Sequence, residues 1–112
     1  LRLAPDNIEK VVHLGLKLAG QPPLIPKEKN AGEYYLPALT KSWALCMEGL
    51  AHPHTKEIRP ITFDPEIARG RDDIVLAHLN HRLVQMCLRL LRAEVWASDS
   101  ARKITWYFNF MT

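Results

Sequence analysis

Near the N-terminus, Ile8, Val11, Val12, Gly15, Leu18 and Ala19 fall on one face of a 3.6-residue repeat, which predicts a helix from about Asp6 to Ala19. Asp6 followed by Glu9 has the D-x-x-E form of a capping pair, so Asp6 is the expected N-cap. Gly20 with Pro22 and Pro23 supplies the stop, because glycine suits the position after a helix and proline cannot continue its hydrogen-bond ladder.

The periodicity then breaks up. "PLIPKEKNAGE" reads as a polar loop punctuated by proline and glycine, and "EYYLPAL" as a short extended segment that Pro37 confines to a sheet edge. "TKSWALCMEGL" is expected to be a helix capped by Thr40 or Ser42 and ending at Gly49, with a strand as the alternative. After the turn-rich "AHPHTKE", Ile61 and Phe63 straddle Thr62 in the alternation of a brief strand.

The strongest pattern is "HLNHRLVQMCLRLLRAEVWA". Leu83, Val84, Met86, Cys87, Leu88, Leu90, Leu91 and Val95 cover more than half of a helix circumference, wider than a surface helix needs, with Asn80 as the expected cap. The remaining stripe holds Arg82, Gln85, Arg89, Arg92 and Trp96, and Arg92 and Trp96 are spaced to stack. "KITWYFNF" has the β-branched and aromatic content of a strand, which must be covered if Trp106, Phe108 and Phe110 are not to promote association. Together these elements predict an α+β fold, two or three helices packed on a small, mainly antiparallel sheet.

Composition narrows the class. A chain of 112 residues with 47% apolar and 24% charged residues suits one folded domain, neither disordered nor a coiled coil. No apolar run reaches bilayer length and no signal-peptide core is evident, so a cytoplasmic location without membrane contact is expected. Cys46 and Cys87 lack CxxC spacing and read as reduced, core-facing side chains. The first residue is Leu1 rather than methionine, which reads as a piece excised from a longer protein. Residues 1–73 balance ten basic against ten acidic side chains, whereas residues 74–112 hold five and two, so an anionic partner should favour the C-terminal third.

Acids and histidines crowd "RPITFDPEIARGRDDIVLAHLNHRLVQ", as in a metal-dependent or acid/base enzyme. Asp64 before Pro65 and Glu66 nevertheless has the order of an N-cap, a proline at the first helical position and a first-turn acid, while Asp72 and Asp73 flank the start of "IVLAHL". His52 and His54 lie across a proline, and His78 and His81 are spaced to share a helix face. Neither pair has further ligands at zinc spacing. Phosphate loops, nucleophile elbows and dinucleotide turns are missing from the sequence, so neither metal, cofactor nor catalytic residue is expected.

The run "ITFDPEIARGRDDIVLAHLNHRLVQMCLRLL" resembles a segment beyond the motor lobes of bacterial SNF2-type helicases, where "TFD", an acidic pair and "HPL" opening a helix recur in order. Thr62, Phe63, Asp64, Asp72, Asp73, His81, Leu83 and Val84 occupy those places, with Arg82 standing where the family usually has proline. "DNIEKVV", "LAGQPPL", "SWA", "GLAHPHT" and "LRAEVWA" are similar to the branch of these helicases found with DISARM-like phage-defence systems, over about Asp6 to Ala97. The resemblance implies a non-catalytic accessory domain spanning 1–112 of an ATP-dependent DNA translocase, its partners the motor lobes of the same chain, another protein, or DNA. Phe63, Asp64, Asp73 and His81 would then be a packing motif, and Arg82, Arg89, Arg92, Arg102 and Lys103 the binding residues. An independent DNA-binding module and a small metal-dependent nuclease are the alternative classes.

Overall fold

The computed structural model describes residues 4–97. Its first helix, α1, runs Pro5–Leu18 with Ala4 in the cap position and no side-chain cap. The expected Asp6 cap is therefore corrected. Pro5, whose fixed φ suits the first helical position, starts the helix one residue earlier and leaves Asp6 inside the first turn, where the helix dipole still favours its charge. The buried face is Ile8, Val11, Val12, Gly15 and Leu16, and Leu18 is exposed. Leu16 completes the stripe that begins at Ile8, while Leu18 is rotated about 200° further round the helix. Gly20, at φ +71°, ends the helix in a Schellman turn: its N–H donates to the Lys17 carbonyl at 3.1 Å and that of Gln21 to Leu16 at 2.9 Å.

Four short strands form one sheet in the order β1-β2-β3-β4: Ile25–Pro26, Glu33–Tyr35, Ile61–Thr62 and Val75–Leu76. The first two pairings are antiparallel and β3/β4 is parallel. β1 lies within the segment expected to be a loop. Its Pro26 sits on the sheet edge, where a missing N–H is tolerated. β2 is an inner strand, not the expected edge, because it ends at Tyr35 before Pro37 can interrupt pairing. The β3/β4 crossover from Phe63 to Ile74 contains α2, Pro65–Ala68, and has the roughly dozen residues a parallel connection needs. Ile61, Thr62 and Phe63 are all buried, so no exposed face alternates along β3. Thr62 is accommodated because its hydroxyl donates to the Gly32 carbonyl at 2.7 Å and accepts the Asp64 N–H at 3.2 Å.

Lys41–Leu50 winds as a 3-10 helix. Thr40 holds its cap position, but its hydroxyl and N–H bond the Gln21 side chain instead, tying this helix to the end of α1. The long helix α3, Arg82–Ala97, follows His81. Its first turn is served by the His81 ring, whose Nδ1 accepts the Leu83 N–H at 3.1 Å, so Asn80 is not the cap. Leu83, Val84, Cys87, Leu88, Leu91 and Val95 are buried. α1 crosses α3 where Gly15 meets Cys87 so closely that a Cβ on Gly15 would sit 2.5 Å from the Cys87 Cβ.

Helices α1 and α3 thus pack with a four-stranded, mostly antiparallel sheet, and Ile61 of β3 enters the same core as Phe63 and Ala77, which directly follow β3 and β4. This is the expected α+β class. Among the described residues no helix is long and apolar enough to cross a membrane. The expected strand at 103–110, Arg102, Lys103 and the Trp96 side chain lie outside the described residues.

Candidate interaction surface

The acids of the central motif have architectural partners. Asp64 accepts the Glu66 N–H at 2.9 Å through Oδ1, the expected N-cap of α2. Asp64→Ala should cost about 0.5–2 kcal/mol, read as a lower Tm with the fold retained.

The adjoining loop is organised by Arg71. Its guanidinium donates to both Glu33 carboxylate oxygens at 3.2 Å and to both Asp73 oxygens at 3.0 and 2.9 Å. Lys27 adds a bond to Glu33 at 3.3 Å, so this carboxylate, only 6% exposed, links the β1–β2 hairpin to the loop before β4. The Arg71 hydrogen bonds, outweighing burial and aided by Lys27, hold the Glu33 carboxyl below its ordinary value of 4.5. The same guanidinium lowers Asp73, and both carboxylates raise the Arg71 pKa.

A depressed folded-state pKa means that the unfolded chain binds more protons in acid. This contribution to stability is present above the unfolded carboxylate value and lost as pH falls through the folded one. Arg71→Ala should lower Tm by several degrees at neutral pH, with the gap to wild type narrowing towards pH 3. Thermal melts across that range check it, and a gap independent of pH would contradict the role given to Glu33.

The histidines also serve the backbone. His52 Nδ1 accepts the N–H groups of His54 and Thr55 at 3.1 and 3.3 Å, while its Nε2 faces Asp72 at 3.2 Å. His78 Nδ1 likewise accepts the Asn80 N–H at 3.1 Å. His78 and His81 do not share a helix face: both precede α3, their rings edge-on at 6.4 Å. Burial, and then the charge of His78, depress the His81 pKa, which suits a ring accepting through Nδ1. Phe63 packs against Tyr34 and His13. Phe63, Asp64, Asp73 and His81 therefore occupy four local structural roles rather than one site. Among the described residues no three of His, Cys, Asp and Glu gather as a metal ion would require. Both thiols are buried and unbridged. Desolvation raises the Cys46 pKa and, with Cys46 nearby, pushes that of Cys87 to about 12.

The arginine row of α3 faces outward as expected, with Arg82, Gln85, Arg89 and Arg92 all exposed. Arg82 is partly engaged: it reaches the Leu45 carbonyl at 3.5 Å and Glu48 at 3.6 Å, both on the 3-10 helix. Gln85 turns back to the Leu79 carbonyl. Among the described residues Arg89 and Arg92 make no ion pair. Beside this row lies a shallow groove of about 270 Å³ lined by Trp43, Met86, Arg89, Leu90 and Ala93, almost wholly apolar at its surface. Leu45, 48% exposed, adds apolar area on the 3-10 helix.

Sequence reasoning assigned Trp43, Met86 and Leu90 to the apolar side of their helices and so missed the groove. The signal was present in the breadth of the α3 apolar face, wider than one packing surface needs. The Arg71 hub had only a weak signal, an arginine directly before the Asp72–Asp73 pair.

No protein-family model matches the chain, and neither a curated protein nor a solved structure matches it.

Proposed function

We propose that this chain is a non-catalytic accessory module of an ATP-dependent SNF2-type DNA translocase, acting in the cytoplasm and docking through α3 on the motor lobes or a partner protein. The observation that carries this reading is the outer face of α3, where Arg89 lines an apolar groove and, among the described residues, neither it nor the exposed Arg92 makes an ion pair. The acids that suggested chemistry have structural partners: Asp64 at a helix start, Glu66 on Arg69, Asp73 on Arg71, Asp72 at His52. An apolar groove with a cationic border suits a protein surface, whose desolvated centre supplies affinity while its rim sets orientation. The order of "TFD", the acidic pair and His81 supports the translocase context by resemblance. Helicase motifs in the reading frame upstream of Leu1, together with co-purification of those motor lobes with this chain, are the expected results. Loss of that association in Arg89→Glu would place the contact on α3, and absence of helicase motifs upstream would remove the translocase assignment.

Direct DNA contact is the second reading, favoured by the same exposed arginines. If Arg89 and Arg92 neutralise phosphates, affinity should fall steeply with salt, and removing one arginine should reduce the log–log slope by about 0.9 on duplex DNA. Titrating the chain with duplex and single-stranded DNA at two salt concentrations decides the matter. For a docking module the expected result is no measurable binding even at low salt.

A further inference from the structure

The groove on α3 is asymmetric, and the asymmetry specifies an occupant. Met86, Leu90 and Ala93 recur at spacings of four and three, so the apolar strip runs along the helix axis for about two turns. Trp43 of the 3-10 helix also lines the groove. Arg82, Arg89 and Arg92 follow one flank of the strip at helical spacing; Arg89 lines the groove, and Arg82 already has Glu48 of the 3-10 helix as a partner. We infer that this groove binds one amphipathic helix of a partner protein, with aliphatic side chains at i, i+3/i+4 and i+7 and an acidic flank on one side. This inference rests on the docking reading above and names the partner chemistry.

The geometry favours a helix. A strip with α-helical spacing matches the ridge of a second helix, and the small Ala93 beside Leu90 leaves room for the close axial approach such packing needs. Charge complementarity fixes its sign and orientation. By helical spacing Arg89 and Arg92 follow one flank of the strip, so an acidic flank on the incoming helix meets them in one orientation only. A basic helix would put like charges against Arg89. Nucleic acid is the poorer fit, because the groove beside Arg89 offers mainly apolar side chains where a phosphate backbone needs donors.

The test uses the 112-residue chain and a synthetic amidated peptide of about 18 residues, long enough to show helical character, with leucines along one face and glutamates on one flank. Two controls have lysines replacing the glutamates, or the leucines scattered around the helix. Binding followed by amide chemical shifts should perturb Trp43, Met86, Arg89, Leu90 and Ala93. The scattered control should bind at least about tenfold more weakly, the loss expected when an anchoring face is removed.

Arg89→Glu, a substitution at an exposed position that should leave the fold intact, should weaken the acidic peptide about tenfold and favour the lysine version. Equal binding of all peptides, or shifts confined to another face, would overturn the inference. It would also fail if deleting residues 98–112 were required before any peptide bound, since the chain's own tail would then be the occupant. Concentration-dependent dimerisation through the same residues would make a second copy the occupant, with the same result. Co-purification with motor lobes in the absence of peptide binding would sink this inference alone. Peptide binding without that association would leave it standing and remove the translocase reading.

Discussion

Gly15→Ala is expected to lower the Tm of this protein by about 10 °C, although alanine is the better helix former. Alanine in a helix interior gains up to about 1 kcal/mol over glycine. Against that gain, the new Cβ would stand 2.5 Å from the Cys87 Cβ, 2.6 Å from its Sγ and 3.0 Å from its Cα. These atoms belong to or adjoin the α3 backbone, so relief requires α1 and α3 to move apart through a core in which Val11, Val12, Leu83 and Leu91 are fully buried. Overpacking of this kind costs about 3 kcal/mol, which leaves a net loss of about 2 kcal/mol. Gly15→Val should be worse. Cys87→Gly removes two of the three close contacts, so a double-mutant cycle with Gly15→Ala should show favourable coupling of more than about 1 kcal/mol. Additive effects, or a stabilised Gly15→Ala, would contradict the close crossing of the two helices.

Thr62→Val should cost about 1–3 kcal/mol with almost no change in shape. Thr62 is fully buried on an inner strand, and its hydroxyl serves both the Gly32 carbonyl and the Asp64 N–H. Valine fills the same volume and takes their shared partner from both part-buried groups. Leaving a buried donor or acceptor unpaired costs more than the net value of the bond itself. Thr62→Ser provides the comparison: it keeps the hydroxyl and loses a methyl, at about 1 kcal/mol. Urea denaturation should therefore rank wild type above serine and serine above valine. The Asp64 amide should lose hydrogen-exchange protection in valine only. Valine more stable than serine would mean that methyl packing, rather than the hydroxyl, holds this position.

Asp64 and His81 illustrate how the two levels of information divide. The Asp64–Pro65–Glu66 order is a local signal, complete within one helical turn, and the cap forms as read. His81 has no comparable local signature, because the more usual cap, Asn80, lies one residue earlier. The ring takes the role once the chain turns through the His78 carbonyl, which accepts the His81 N–H at 2.9 Å. Glu33 and Arg71 are separated by a long stretch of chain. Nothing near either predicts a carboxylate buried at a strand start and held by a guanidinium from beyond β3.

By itself the sequence determined the elements whose causes are local: the amphipathic stripe of α1 and its Gly20 stop, the broad apolar face of α3, the capped turn at Asp64 and the outward arginines. Side-chain periodicity and short-range hydrogen bonds suffice for these. Tertiary structure alone decided the sheet order, the burial of Thr62, the ion pairs around Arg71 and the groove beside Trp43. Each requires residues distant in the chain to be brought together, and packing then chooses among conformations that local propensity leaves nearly equal in energy.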